Sequence, residues 1–349
     1  MLSSLRAKLG TWLAILLCGA CLSAVAQDQQ GQNPEQGQND QLPTFTSNVN
    51  VVNLFFNVKD KHGNLIPDLK KEDFQVLEDG KPQTIKYFSA ESNQPLTLGI
   101  LLDTSGSQLE VLPMEKEVGA EFLHDVLRPK DLAFLISFDV DVDELHDFTS
   151  DASALRRAMD KAQINTGGGG GGVPGIGQGP IPTSSVPRGT LLYDAVYLAA
   201  REKLAQEVGR KAMILLTDGG EQGSQTNMKG AIEAAQKADA VIYVLLIADT
   251  PHLGSIYNGG GYYGIGDMKK MTQETGGRVI EVGNKLDKLK DAFAQIANEL
   301  RSQYNIGYTP TNMKRDGSFR KIEIKVANNK DMKVQSRNGY YAPTERSGD

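Results

Sequence analysis

Five oxygen-bearing side chains, in three separate stretches of the chain, have the types and spacing to bind a hard cation. Asp103, Ser105 and Ser107 occupy alternate positions directly after an apolar run, so an extended segment directs all three to the same side. Asp218 follows a second apolar run, and Thr190 lies at the start of a helical pattern between the two. Carboxylate and hydroxyl oxygens suit the hard cations Mg²⁺, Ca²⁺ and Mn²⁺, of which Mg²⁺ is the one we expect. These five residues are therefore the candidate metal ligands.

Each candidate ligand also has an ordinary structural explanation. The side chains of Asp103, Ser105 and Ser107 could hydrogen-bond to their own backbone in a loop. Thr190 could cap its helix, a role compatible with metal binding, and Asp218 could be a turn residue. The metal interpretation is favoured because the three stretches occur together and in order.

The elements that must position these residues alternate between apolar strand-like runs and helical patterns. Runs such as 96–102 and 212–216 are typical of strands buried on both faces, and the alternation predicts an α/β fold with a doubly wound, mostly parallel sheet. One antiparallel edge strand is expected near 140–148. The predicted helices span 113–127, 152–162, 191–204, 227–238, 268–275 and 286–302.

The topology of such a sheet predicts where the candidate ligands meet. Ligands bind beyond the carboxyl ends of the strands, at the point where the strand order reverses. Asp103 and Asp218 both follow strands, so they converge if those strands are neighbours. Asp139 and Asp249 follow buried strands at the same rim and are interpreted as rim charges, with an influence on the site as the alternative. Glu221, shortly after Asp218, is interpreted as a solvated carboxylate, with a supporting contact behind the ligands as the alternative.

Two outer segments, 47–93 and 303–343, have a β pattern with turn signals such as Asp79-Gly80. Single strands are expected at 83–88 and 332–341. Neither segment alone has enough strands to be stable, so we expect the two to pair into one small all-β sandwich.

The first residues resemble an export signal. Arg6 and Lys8 precede a short apolar stretch, and Ala24-Val25-Ala26 supplies small residues at a cleavage position. We therefore expect an exported protein in the periplasm, at the cell surface or secreted, with no transmembrane span in the mature chain. An alternative is a lipid anchor at Cys21.

The expected organisation follows from these patterns and from two low-complexity loops. The Gly-rich loop 167–188 and the Gly/Tyr loop 257–266 interrupt the α/β part; both are interpreted as surface loops, with a binding rim as the alternative. The predicted units are a signal peptide (1–26), a disordered linker (27–46), an N-terminal β segment (47–93), an α/β domain (94–302), a C-terminal β segment (303–343) and a tail (344–349).

Composition and missing motifs argue against several functions. The net charge is −6 and no Lys/Arg-rich run occurs, which disfavours a nucleic-acid partner. No phosphate-binding glycine loop, zinc-protease motif or nucleophile elbow is present, and the four histidines are scattered. The sequence therefore predicts a protein that is not an enzyme.

The complete pattern resembles a known family. The stretches "LTLGILLDTSGS", "RGTLLYDAV" and "AMILLTDGGE" look like the three motifs of the metal-ion-dependent adhesion site of von Willebrand factor A domains. The outer stretches "DKHGNLIPDLKKEDFQVLEDGKPQTIKYFSAE", "RSQYNIGYTP" and "SRNGYYAP" resemble the VWFA-related family abundant in Acidobacteria, in which β segments flank the A domain.

The resemblance implies a role for each candidate ligand. Ser105, Ser107 and Thr190 would contribute hydroxyl oxygens, while Asp103 and Asp218 would act directly or through water. One coordination position would remain for an Asp or Glu of a partner protein. The expected function is therefore metal-dependent protein binding in adhesion or scaffolding. The alternatives are a structural envelope module in which the metal only stabilises the fold, and an accessory subunit of an enzyme.

Overall fold

Fourteen strands and six α-helices lie within the part of the chain that the computed structural model describes, residues 51–90, 94–165, 189–247, 263–327 and 331–344. These residues belong to one unit, Val49–Asp349. The strands are β1 (Val52–Lys59), β2 (Phe74–Glu78), β3 (Lys81–Gln83), β4 (Ile85–Ser89), β5 (Leu96–Asp103), β6 (Leu132–Phe138), β7 (Val142–Thr149), β8 (Arg210–Thr217), β9 (Ala240–Leu246), β10 (Val279–Glu281), β11 (Tyr304–Tyr308), β12 (Phe319–Val326), β13 (Lys333–Ser336) and β14 (Gly339–Tyr341). The helices are α1 (Leu112–Val126), α2 (Ala152–Met159), α3 (Leu192–Leu198), α4 (Met228–Lys237), α5 (Tyr263–Thr275) and α6 (Leu286–Arg301).

The central sheet has the strand order β10-β9-β8-β5-β6-β7. All neighbouring pairs are parallel except β6 with β7. Every residue of β5 is buried, because a parallel sheet is covered on both faces and its inner strands meet no water. The chain order reverses beside β5, which has β6 on one side and β8 on the other.

Helices cover both faces of the central sheet. Apolar residues of α1, α2 and α6, such as Phe122, Met159 and Phe293, form one buried layer. Those of α3, α4 and α5, such as Val196 and Met271, form the other. The structure thus confirms the predicted doubly wound α/β fold with one antiparallel edge strand.

The outer segments pair with each other as expected and form two four-stranded sheets, ordered β13-β1-β11-β4 and β14-β12-β2-β3. Each sheet contains two N-terminal and two C-terminal strands: β1 of the N-terminal segment pairs with β11 of the C-terminal one, and β2 pairs with β12. Their apolar side chains share one core, which includes Phe56, Phe74 and Tyr304. We call these two sheets the sandwich.

The sandwich packs against the edge of the central sheet where β5, β8 and β9 begin. Asn53 and Phe55 of β1 line a small cavity together with Leu96 and Arg210, which open β5 and β8. Arg210 also donates hydrogen bonds to the carbonyl of Gln94. The sandwich therefore occupies the amino edge of the central sheet, opposite the strand ends that carry the candidate ligands.

Two predicted strands are wrong because the chain changes sheets inside them. The segment 83–88 divides after Gln83, which pairs with Val76, whereas Ile85 pairs with Tyr308 in the other sheet. The segment 332–341 divides in the same way between β13, which pairs with β1, and β14, which pairs with β12. Residues 83–85 keep the buried–exposed–buried order of a single strand across the first crossing, so the pattern there does not reveal it.

Two helical predictions also need correction. The segment 191–204 is α-helical only to Leu198 and continues as a π-helical turn, Ala199–Lys203. Residues 263–266, expected to lie in a loop, form the first turn of α5. In that turn a Cβ on Gly264 would lie 1.9 Å from the carbonyl oxygen of Gly219, so this glycine permits close packing.

Several predictions lie outside the described residues: the signal peptide, the linker, Cys21, Asp249, the loop 167–188 and most of the loop 257–266. The predicted domain boundaries stay predictions. Among the described helices, none combines the length and the apolar character needed to cross a bilayer.

Candidate metal centre

Asp103 and Asp218 lie at the carboxyl edge of the central sheet, on neighbouring strands. Leu102 of β5 pairs with Leu216 of β8, so Asp103 and Thr217 come next at the same level. The Thr217 hydroxyl donates a 2.6 Å hydrogen bond to Oδ2 of Asp103. The strands β5 and β8 are therefore neighbours at the point where the strand order reverses. This is the condition under which Asp103 and Asp218 were expected to converge.

The carboxyl group of Asp103 is completely buried. Burial raises its pKa to about 7, and the negative charge of Asp218 adds to the rise, against hydrogen bonds from Ser105 and Thr217 that lower it. A buried carboxyl beside a second carboxylate is costly to ionise without a positive partner. A cation at this edge would supply that partner.

The two serines of the first motif are in contact. Their hydroxyl oxygens are 3.0 Å apart, and the amide of Ser105 donates to Oδ1 of Asp103 at 3.0 Å. Ser105 is nearly buried, whereas Ser107 is exposed in a short 3-10 turn, Gly106–Gln108. The loop therefore brings one carboxyl and two hydroxyl groups together, with the outer hydroxyl open to solvent.

Thr190 lies beyond the end of β5, in a segment that is hydrogen-bonded to the loops after the neighbouring strands β6 and β8. Its backbone exchanges two hydrogen bonds with Gln222, after β8. The amide of the next residue, Leu191, donates to the carbonyl of Asp139, after β6. The structure thus brings Thr190 to the same edge as the other four candidates.

The loop after β8 is shaped by close packing against α5. Gly219 has a φ of +81°, which favours glycine, and its carbonyl lies against Gly264. The amide of Gly220 donates to Oδ1 of Asp218 at 2.9 Å. This packing holds the half-buried Asp218 beside Asp103.

Two residues interpreted as solvated charges support the centre instead. Asp139 accepts a 2.7 Å hydrogen bond from the Thr104 hydroxyl, inside the first motif. Glu221 accepts hydrogen bonds from the backbone of Tyr193, at the start of α3, and from both donor groups of Ser224. The interpretation as free rim charges is therefore wrong for both: they fix the loops that carry the ligands.

Two buried polar side chains near the centre were not anticipated. Glu115, in the first turn of α1, is completely buried, and its pKa is raised well above the usual range by burial and then by the charges of Asp103 and Asp218. Gln108 is also completely buried and follows Ser107 directly. One signal was available for Glu115: it lies three residues before Val118 and seven before Phe122, in the apolar stripe of α1.

The donor set fits a hard divalent cation. It consists of oxygen atoms only, from two carboxyl groups and three hydroxyls, and the electrostatic coupling of the two acids favours a positive charge between them. Within the described ranges, no three His, Cys, Asp or Glu side chains are placed to cage an ion. An ion here would therefore depend on the hydroxyls of Ser105, Ser107 and Thr190 and on water.

No protein-family model matches the chain, and no curated protein matches it significantly. Solved structures match over about three fifths of the chain. They include the conserved hypothetical protein BatB from Bacteroides thetaiotaomicron, with a TM-score of 0.42, 21% identity and coverage of 59% of this chain and 100% of that one.

Two further similar structures are proximal thread matrix protein 1 and a pilin. The former, from the mussel byssus with a zinc-occupied MIDAS motif, has a TM-score of 0.43 and 17% identity, and the match covers 60% of this chain and 46% of that one. The PilB minor pilin from Streptococcus sanguinis has a TM-score of 0.42 and 11% identity, with 60% and 62% covered.

Proposed function

We propose that this chain is an exported protein-binding module that holds a divalent cation, Mg²⁺ in the first place, at the carboxyl edge of its central sheet. Ser105, Ser107 and Thr190 supply hydroxyl ligands; Asp103 and Asp218 act directly or through water. The ion offers a free position to an Asp or Glu of a partner protein, in adhesion or scaffolding. No catalytic step is part of this proposal.

One observation carries the proposal: the buried carboxyl of Asp103 lies beside the charge of Asp218 and next to two hydroxyls 3.0 Å apart. Because Asp103 and Asp218 would reach the ion partly through water, a water molecule of its shell could be replaced by a partner's oxygen. An incoming carboxylate then completes the shell in a charge-assisted contact. The exposed position of Ser107 leaves the centre open to a partner on that side.

Metal binding is tested by titrating Mg²⁺, Ca²⁺ and Mn²⁺ into the purified protein by calorimetry. We expect the double variant Ser105→Ala/Ser107→Ala to lose the binding. The matched control is Ser153→Ala: Ser153 is exposed and follows β7, whose last residue, Thr149, pairs with Ala133 near the amino end of β6. The proposal is wrong if the wild type binds none of the three cations.

Partner binding is tested with immobilised protein and an envelope extract. We expect capture in Mg²⁺, release by a chelator and no capture by the double serine variant. Amidation of the extract's carboxyl groups should also abolish capture. Capture that survives amidation would rule out a carboxylate contact with the ion.

A structural role for the metal is the second candidate, favoured by the hydrogen bond that joins Asp103 of β5 to Thr217 of β8. The variant Asp103→Ala separates the two candidates. If the ion serves to recognise a partner, Asp103→Ala should lose partner binding and keep its melting temperature. If the ion only stabilises the fold, the variant should have a lower melting temperature.

A further inference from the structure

Glu115 is an unusual residue for the interior of this protein. Its side chain is completely buried, and neither carboxyl oxygen has a hydrogen-bond partner among the described residues. A buried polar group without a partner costs about 1–3 kcal/mol, and more if it is charged. The presence of Glu115 in the core of α1 therefore needs an explanation, such as a functional role that offsets its unfavourable burial.

The surroundings of Glu115 point to a cation. Among the described residues, the groups that act on it electrostatically are the acids Asp103 and Asp218, and both disfavour a further negative charge. The next residue, Lys116, does not neutralise it, since its ammonium group donates to the carbonyls of Asp160 and Ala162. Three carboxyl groups are therefore close enough to interact, without a positive side chain among the causes of the shift.

Gln108 provides a second, independent observation at the same place. Its amide is completely buried, and both its oxygen and its nitrogen lack partners among the described residues. It follows Ser107 directly, and its backbone amide donates to the carbonyl of Ser105 at 3.0 Å. Two polar side chains that no described residue satisfies thus flank the candidate ligand loop, one on the loop and one on α1.

We propose that Glu115 is a positioning residue of the metal centre, whose carboxylate accepts a hydrogen bond from a water molecule coordinated to the ion, and that the Gln108 amide contacts the same hydration shell. This inference rests on the proposed function. The contact runs through water because Asp103, Asp218 and Glu115 are not placed to share an ion directly. Groups behind the ligands orient them and adjust metal affinity, typically by 10–100-fold.

The proposal predicts that substitutions of Glu115 weaken metal binding without lowering the stability of the metal-free protein. Glu115→Gln keeps the shape but removes the charge, and Glu115→Met removes the polar group at a similar size. Both should weaken Mg²⁺ and Mn²⁺ binding by about 10–100-fold. Neither should lower the melting temperature of the metal-free protein, because each removes a buried acid for which the described part of the chain provides no hydrogen-bond partner.

The matched control is Glu117→Gln, which makes the same charge change on the same helix at an exposed position. We expect it to leave metal affinity within about twofold of the wild type, because solvent screens surface charges. Calorimetry gives the affinities, and melting curves with and without Mg²⁺ give the stabilities.

The outcomes separate this inference from the proposed function. If the wild type binds Mg²⁺ or Mn²⁺ and both Glu115 variants bind equally well, the role of Glu115 is overturned while the metal centre stands. If the wild type binds none of the cations, both proposals fail. Variants that destabilise the metal-free protein show a structural role for Glu115 and overturn the inference as well.

Discussion

Two buried glutamates, one in the sandwich and one below the carboxyl edge of the central sheet, are treated very differently by this fold. Glu78 accepts hydrogen bonds from the hydroxyls of Tyr308 and Tyr340 at 2.8 and 2.9 Å and pairs with the buried Arg320. Glu115 is buried to the same degree and has no such partner among the described residues.

The difference separates a structural role from a binding role. The sandwich surrounds Glu78 with donors and a positive charge, so the buried group is satisfied by the protein itself. At the carboxyl edge, no positive side chain of the described residues is among the groups that shift the pKa of Glu115 beside Asp103 and Asp218, and in our proposal a bound ion compensates the three acids. The following predictions test this contrast, beginning with the largest expected effect.

Replacing Glu78 by Ala should lower the free energy of unfolding by about 3–5 kcal/mol, because it removes the only buried carboxylate that pairs with the buried Arg320 among the described residues and leaves the half-exposed Asp316. Urea denaturation measures this. The exposed Glu323 on the neighbouring strand β12 is the control, and Glu323→Ala should cost less than about 0.5 kcal/mol. A loss below 1 kcal/mol for Glu78→Ala would contradict the structural role.

Replacing Asp103 by Asn should weaken Mg²⁺ binding by about 100-fold, or ~2.7 kcal/mol, because the ion loses a charged partner. The metal-free protein should not be destabilised at pH 8. The control is the buried Asp131 at the opposite edge of the sheet, which accepts hydrogen bonds from the amides of Leu96 and Arg128. Asp131→Asn should reduce stability and leave metal affinity unchanged; equal metal affinities for all three proteins would refute the role of Asp103.

The pH dependence of stability should reveal the uncompensated acids. Because the pKa of Asp103 is raised to about 7 in the folded state from 3.8, the folded protein holds this proton more tightly than the unfolded chain does. The stability of the metal-free protein should therefore fall as the pH rises from about 4 to above 7. Saturating Mg²⁺ or Asp103→Asn should reduce the fall. A stability that rises across this range would argue against the centre as described.

The smallest effect is expected for an exposed carboxylate. Glu121 pairs with Lys290 at 3.0 Å, and both side chains are nearly half exposed. Glu121→Gln should change the free energy of unfolding by less than about 1 kcal/mol and leave Mg²⁺ affinity unchanged. A large effect on metal binding would mean that long-range charge, rather than the local centre, determines affinity.

The sequence predicts the meeting of Asp103 and Asp218 because a general rule of α/β sheets places strand ends at one edge. The same reasoning does not extend to Glu115. Its position in the apolar stripe of α1 marks it as buried, but whether a described residue pairs with it depends on segments distant in the chain. The burial of a residue can be inferred from periodicity, whereas only the tertiary structure shows whether its polar atoms have hydrogen-bond partners.

Strand crossings are a second feature that periodicity does not show. The chain passes from one sandwich sheet to the other between Gln83 and Ile85, and both residues are buried although they pair in different sheets. Likewise, Asp139 and Glu221 look like surface charges in sequence. Their hydrogen bonds to Thr104 and Tyr193 arise only once separate loops lie side by side.

The position of the sandwich at the amino edge separates it from the candidate ligands by the length of the central sheet. The eight-residue strand β5 spans about 25 Å between them. The first described residue, 51, precedes β1 of the sandwich, and the last, Thr344, forms a β-bridge with Asp316, shortly before β12. Both limits of the described chain therefore lie on the sandwich side, and under the proposed function a partner would approach the ion from the opposite side.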